Sequence, residues 1–129
     1  MTLLQSTQRY DSRNLEVGAI SRQLKVLATE LRIPVVVLCQ LNRTQDETEE
    51  PGLMSLRDSG ELEQNANKIV FLWKIDRETG TIGVKVAKNR RGRTGIVLMD
   101  FDGSHMKFTE LTEDYTRPVK KRGWRNESA

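Results

Sequence analysis

Apolar positions in this chain follow two rhythms, one repeating every three to four residues and one running unbroken. Ile20, Leu24, Leu27 and Leu31 are spaced four, three and four apart, a single stripe on a helix, with Arg22, Lys25 and Glu30 off it. Asn14 suits the N-cap position and Pro34 stops the pattern, so a helix is predicted from about residue 14 to residue 32. Pro34–Arg43, P-V-V-V-L-C-Q-L-N-R, then becomes continuously apolar and ends on Gln40. Such a run predicts a strand over Val35–Cys39 covered on both faces, the usual condition of a parallel sheet flanked by helices.

The next stretch, Thr44–Met54, is acidic, carries a Pro-Gly break and reads as a mobile loop. Ser55–Asn67 follows, with Asp58 or Ser59 as the cap of a short helix over Glu61–Ala66. Strands are predicted over Lys68–Trp73, Thr81–Lys88 and Ile96–Phe101, with a last short one over Met106–Thr109. Asp76–Gly80 and Arg91–Gly95 are the intervening turns, and the hairpin they imply makes the expected sheet mixed.

Composition narrows the class. A chain of 129 residues with 36% hydrophobic and 30% charged positions is one domain's worth, on the polar side. The single cysteine, Cys39, excludes a disulfide framework and reads as a small buried hydrophobe in a reducing, cytoplasmic setting. No apolar run reaches the roughly 20 residues that span a bilayer, so no membrane partner is expected. Net charge is only +3, yet cations gather in Lys85–Arg93 and Arg117–Arg125 while Asp46–Glu50 is acidic. Local clusters of this kind attract polyanions more than the net value does.

Three places can carry chemistry. Gln40 leaves the predicted strand at its carboxyl end, where ligands of such sheets sit, with an amide donor and a carbonyl acceptor; a strand ending in a polar loop explains it as well. Ala87–Arg93, A-K-N-R-R-G-R, puts Lys88, Arg90, Arg91 and Arg93 at a strand end, with Lys88 and Arg90 aimed the same way and Asn89 the other. Two cations aimed together grip a phosphate, although solvated positives at a hairpin tip are the commoner case. Leu56–Gly60, L-R-D-S-G, places a cation and a flexible glycine before a helix, which suits a nucleotide phosphate or a nucleic-acid backbone, or an ordinary cap. Trp73, Phe101 and Trp124 are too scattered for a base-stacking platform, and one His with one Cys makes no metal cluster. No G-x-x-x-x-G-K-[ST] loop occurs.

Taken in order, P-V-V-V-L-C-Q-L-N-R, S-L-R-D-S-G-E-L-E-Q-N-A-N-K-I-V-F-L and K-N-R-R-G-R-T-G resemble the C-terminal half of the RecA-like motor domain of DnaB-type replicative DNA helicases. The preceding N-L-E-V-G-A-I-S-R-Q-L-K-V-L-A-T-E-L resembles that family's helix before the Gln-bearing strand. The resemblance covers about Asn14–Phe108 and implies an α/β fold of the P-loop NTPase type, partial because its N-terminal half is missing. The family is a homohexameric ring that unwinds DNA with ATP and Mg²⁺. By resemblance, Gln40 is the γ-phosphate sensor, and Lys88 with Arg90 is the pair delivered in trans to a neighbouring subunit's ATP. Arg57, Asp58 and Gly60 fall on the loop that holds single-stranded DNA in the central channel. Asp58 stands where the family more often has Glu, and Asn89 and Arg91 also differ from its common residues.

The resemblance divides the chain into an N-terminal loop over 1–13, the motor part over 14–111 and a basic, disordered tail over 112–129. It also implies that the phosphate-binding loop, the catalytic glutamate and the Mg²⁺-coordinating aspartate lie upstream of Met1. The expected state is therefore a fragment that binds ATP weakly and does not hydrolyse it alone. Its expected partners are single-stranded DNA, sister subunits and a primase or loader. Two alternatives stay open: a non-catalytic single-stranded nucleic-acid-binding module, and an assembly fragment that acts in trans on another protein's ATP site.

Overall fold

The helix predicted from the four-residue stripe is α1, Arg13–Leu31, in a computed structural model that describes residues 9–41, 48–76, 78–112 and 114–116. Side chains of residues 57–59 lie outside the described part, as do most of the expected N-terminal loop and the expected tail from residue 117 onward. The N-cap is Ser12 rather than Asn14: its Oγ accepts from the Leu15 amide at 3.3 Å, two positions earlier than the sequence suggests. Arg32 ends the helix in the left-handed region at φ 54°, with its amide bonded to the Ala28 carbonyl. Burial is confined to one end. Val17, Gly18, Ala19, Ile20 and Ser21 are buried, whereas Leu27 and Leu31 at the far end of the predicted stripe are exposed.

A 3₁₀ segment, Leu53–Ser59, leads directly into α2, Gly60–Asn65. The 3₁₀ turn opens on a reciprocal cap, Ser55 N to Gly52 O at 2.9 Å and Gly52 N to Ser55 Oγ at 3.2 Å. Polar ties fasten α2 to α1. Arg22 pairs with Glu61, Asn65 donates to Ser21 Oγ at 3.2 Å, and Lys25 donates to Asn67 Oδ1 at 2.5 Å. The helices approach so closely that a Cβ on Gly18 would lie 2.6 Å from a Glu61 carboxylate oxygen and would displace that side chain.

Four strands follow, β1 (Lys68–Lys74), β2 (Thr81–Asn89), β3 (Gly95–Asp102) and β4 (Lys107–Glu110), in the spatial order β1-β2-β3-β4 with every pair antiparallel. One face of this meander carries Phe71 and Trp73, both buried; Lys85 pairs with Phe71 and Ile96, and Gly83 pairs with Trp73 and Leu98. Gly83 is needed because the Trp73 indole lies across it, 2.5 Å from where a Cβ would stand. Burying Phe71 and Trp73 contributes about 2–3 kcal/mol each, the main apolar anchor of the sheet. Val70, Leu72 and Val97 on the other face are exposed.

The strand expected over Val35–Cys39 does not form in the described residues. Residues 33–41 belong to no helix or strand, and Val36 and Leu38 are 86% and 83% exposed. The expected mixed sheet is for that reason antiparallel throughout. A central strand exists only when a ladder partner satisfies its backbone, and the meander supplies none to this segment. Cys39, expected inside, is exposed for the same reason. The exit of the acidic loop is likewise not loose: Pro51 is buried and Glu50 is paired, while residues 42–47 lie outside the described part.

Candidate functional site

The cationic end of β2 is where sequence and structure meet most closely. Val70 pairs with Val86 and Ile69 with Lys88, so Ala87 is an extra residue opposite the Ile69–Val70 step. This bulge shifts the alternation and brings Lys88 to the face that carries Phe71 and Lys85. Lys88 Nζ donates to the Glu63 carbonyl, Arg90 Nη2 donates to the Gln64 carbonyl at 2.7 Å, and the Arg90 amide donates to Asn67 O at 3.0 Å. Both side chains thus cap the carboxyl end of α2, whose last carbonyls have no partner within the helix and carry its negative pole. Lys88 and Arg90 do point the same way, but toward α2. Asn89 turns across the hairpin instead, donating from Nδ2 to Arg93 O at 3.2 Å, close enough to Gly92 that a Cβ there would sit 2.5 Å away.

Arg57 and Asp58 lie on the 3₁₀ segment, and their side chains are outside the described part. Gly60 opens α2 at φ −52° and ψ −31°, ordinary right-handed helix, and a Cβ on it would meet nothing within 4 Å. The fold around it does not demand glycine. The loop and the cation pair are joined by α2 itself, with Gly60 at its start and Glu63 and Gln64 held at its end. Gln40 stands apart: it is exposed, and its side chain has no hydrogen-bond partner among the described residues.

Sequence reading missed a second cation on β2. Lys85 Nζ reaches Glu50 Oε1 at 2.7 Å and the Pro51 carbonyl at 2.9 Å, with both side chains mostly covered. Tyr115 donates to Glu50 Oε2 at 3.4 Å and sets its ring edge-on to Trp73, centroids 5.8 Å apart. A lysine between Phe71 and Ile96 on a covered face was the available signal.

The β3–β4 turn assembles Asp102, Ser104 and His105, yet the arrangement is a turn and not a catalytic triad. The Ser104 hydroxyl, 2.6 Å from Asp102 Oδ1, and His105 Nδ1, 2.6 Å from Asp102 Oδ2, both serve the one carboxylate. Ser104 Oγ also contacts that same Nδ1, whereas a triad needs its serine on the opposite ring nitrogen. The Ser104 hydroxyl first, then His105, holds the Asp102 carboxyl below the ordinary carboxylate range. Among the described residues no group of three His, Cys, Asp or Glu could hold a metal, and no helix is long and apolar enough to cross a membrane.

A bulged antiparallel sheet with a cationic strand end, helix-tied to a 3₁₀ loop, is the layout of the distal part of a RecA-like ATPase domain. The family described as DnaB-like helicase C terminal domain matches residues 1–110, and the chain belongs to it. Its curated relatives include the replicative DNA helicase DnaB of Haemophilus influenzae, 36% identical over 88% of this chain and 26% of that protein. Another is the replicative DNA helicase DnaC of Bacillus subtilis, 38% identical over 86% of this chain and 26% of the relative. The chain therefore spans about a quarter of the length of these relatives. Among solved structures, an isolated ATPase domain superposes with a TM-score of 0.77 at 35% identity, covering 86% of this chain and 42% of that one. A DnaB-like replicative helicase, solved together with an account of its interactions with primase, gives 0.75 at 34% identity, covering 84% and 28%. The fold is a partial RecA-like α/β fold.

Proposed function

We propose that this chain supplies the DNA-facing and trans-acting part of a hexameric replicative helicase motor, with residues 14–111 forming that part and 112–129 a basic extension. One observation carries the reading: a single short helix, α2, has the Leu56–Gly60 loop at its start and the Lys88 and Arg90 side chains at its end. An ATP phosphate drawing on those cations and a DNA strand gripped by Arg57, Asp58 and Gly60 would then act on one rigid element. The names of the relatives support DNA unwinding in replication, and the neighbour that interacts with primase supports ring assembly and a primase or loader as partners.

The cation pair fits the phosphate oxygens of ATP, since two side chains on one face can bind adjacent oxygens and neutralise charge that develops on them. When bound in the family, ATP with Mg²⁺ provides the phosphoryl group whose hydrolysis drives the ring. The backbone cradle for its phosphates is not among these 129 residues, so the chain acts on a nucleotide held by another subunit and does not turn over ATP alone. Gln40 reads the γ-phosphate once its segment is laddered into the complete sheet. Cytoplasmic location follows from this role.

Single-stranded DNA binding tests the loop assignment. Oligo-dT should bind with strong salt dependence, and Arg57→Ala should weaken binding and lower the salt slope by about one, the mark of one lost phosphate contact. Unchanged affinity and slope in Arg57→Ala would remove the loop from the DNA site.

A further inference from the structure

We infer that Lys85 is a positioning residue for the DNA-binding segment, fixing where Leu53–Gly60 leaves the sheet. The inference rests on the proposed role of that segment in gripping single-stranded DNA.

On its sheet face Lys85 has apolar neighbours, Phe71 and Ile96 beside it and Trp73 and Leu98 one step along. A cation there loses hydration that only good partners restore, and an aliphatic side chain of similar volume would serve packing equally well or better. Lys85 has such partners, and both lie on the chain entering the 3₁₀ segment: Glu50 Oε1 at 2.7 Å and Pro51 O at 2.9 Å. The Glu50 side chain is 11% exposed and is contacted at its other oxygen by Tyr115. Just beyond, Gly52 and Ser55 lock the first 3₁₀ turn by reciprocal hydrogen bonds. The exit of the same segment is held through α2 by Lys88 and Arg90. The β2 strand and its following turn thereby fasten both ends of the loop with three cations at Lys85, Lys88 and Arg90. Breaking a local packing rule on a covered face is expected where position matters more than stability.

The test compares Lys85→Met, Glu50→Gln and Arg57→Ala in the full chain, using amide hydrogen exchange and oligo-dT binding. Lys85→Met should retain its thermal midpoint, since methionine suits the apolar face, while exchange over residues 53–59 rises. Oligo-dT affinity should fall about fivefold with the salt slope unchanged, because no phosphate contact is lost. Glu50→Gln supplies the opposing sign. It removes a negative charge, so bulk electrostatics predicts tighter DNA binding, whereas positioning predicts weaker binding and the same rise in exchange. Unchanged exchange over 53–59 in Lys85→Met overturns the inference. So does raised exchange with undiminished DNA affinity, while a loss in Arg57→Ala keeps the loop assignment intact. If Arg57→Ala has no effect, the DNA reading and this inference fall together, and the exchange data show whether Lys85 still anchors the segment.

Discussion

Two apolar runs of similar composition, Val35–Cys39 and Lys68–Trp73, meet opposite fates. The second becomes β1, laddered to β2 along its whole length, with Phe71 and Trp73 buried and Val70 and Leu72 on the opposite face. The first has no ladder among the described residues and leaves Val36 and Leu38 almost fully exposed. Hydrophobicity expresses a demand for burial, but a strand also needs a neighbour for its backbone. A hairpin brings that neighbour to β1 a few residues later, whereas Val35–Cys39 depends on polypeptide the meander does not contain. One run is self-sufficient and the other is an interface awaiting its sheet.

The largest test of this contrast is truncation in each run. Phe71→Ala should cost about 3–4 kcal/mol by chemical denaturation, the range for emptying a buried aromatic site. Leu38→Ser should change stability by less than about 0.5 kcal/mol in the same chain, as expected of an exposed side chain. Equal losses at the two positions would mean that Leu38 is packed in solution and would erase the distinction. A smaller effect is expected where helix meets sheet. Arg90→Gln should destabilise by about 1 kcal/mol and raise amide exchange near the end of α2, because the Gln64 carbonyl loses its cationic donor.

The smallest effect concerns the β3–β4 turn, which pairs strands without any help from α2. The Asp102 carboxyl is held below its ordinary range chiefly by the Ser104 hydroxyl, so its support is full above the unfolded value, about pH 4, and fades as pH falls through the lower folded value. Asp102→Asn should flatten that acid dependence, read from the Ser104 amide resonance, and leave β1–β2 pairing unchanged. A pH response that spreads to β1 would show the meander to be less modular than drawn.

The meander is largely legible in the sequence because its strands are close together and end on Gly-containing turns. The pattern over Thr81–Lys88 stops one residue short of β2, and that over Met106–Thr109 is one residue out of phase with β4. Helix α1 is legible from its stripe but its cap is not, since both Ser12 and Asn14 can cap and only the backbone distinguishes them. The site is legible in its residue types and not in its contacts. No local pattern reveals the bulge at Ala87, which depends on register with β1, or the bond from Lys85 to Glu50, which spans 35 positions. The common direction of Lys88 and Arg90 is readable from alternation, but their destination on α2 is not.

The central claim, that Lys88 and Arg90 serve a nucleotide held by another subunit, is tested most directly by ATP turnover in a mixture. This chain alone should release no phosphate from ATP. Added to a full-length DnaB-type helicase, it should change that enzyme's turnover, and the Arg90→Ala chain should not. Turnover by the purified chain itself, or an identical effect from the Arg90→Ala chain, would contradict the account.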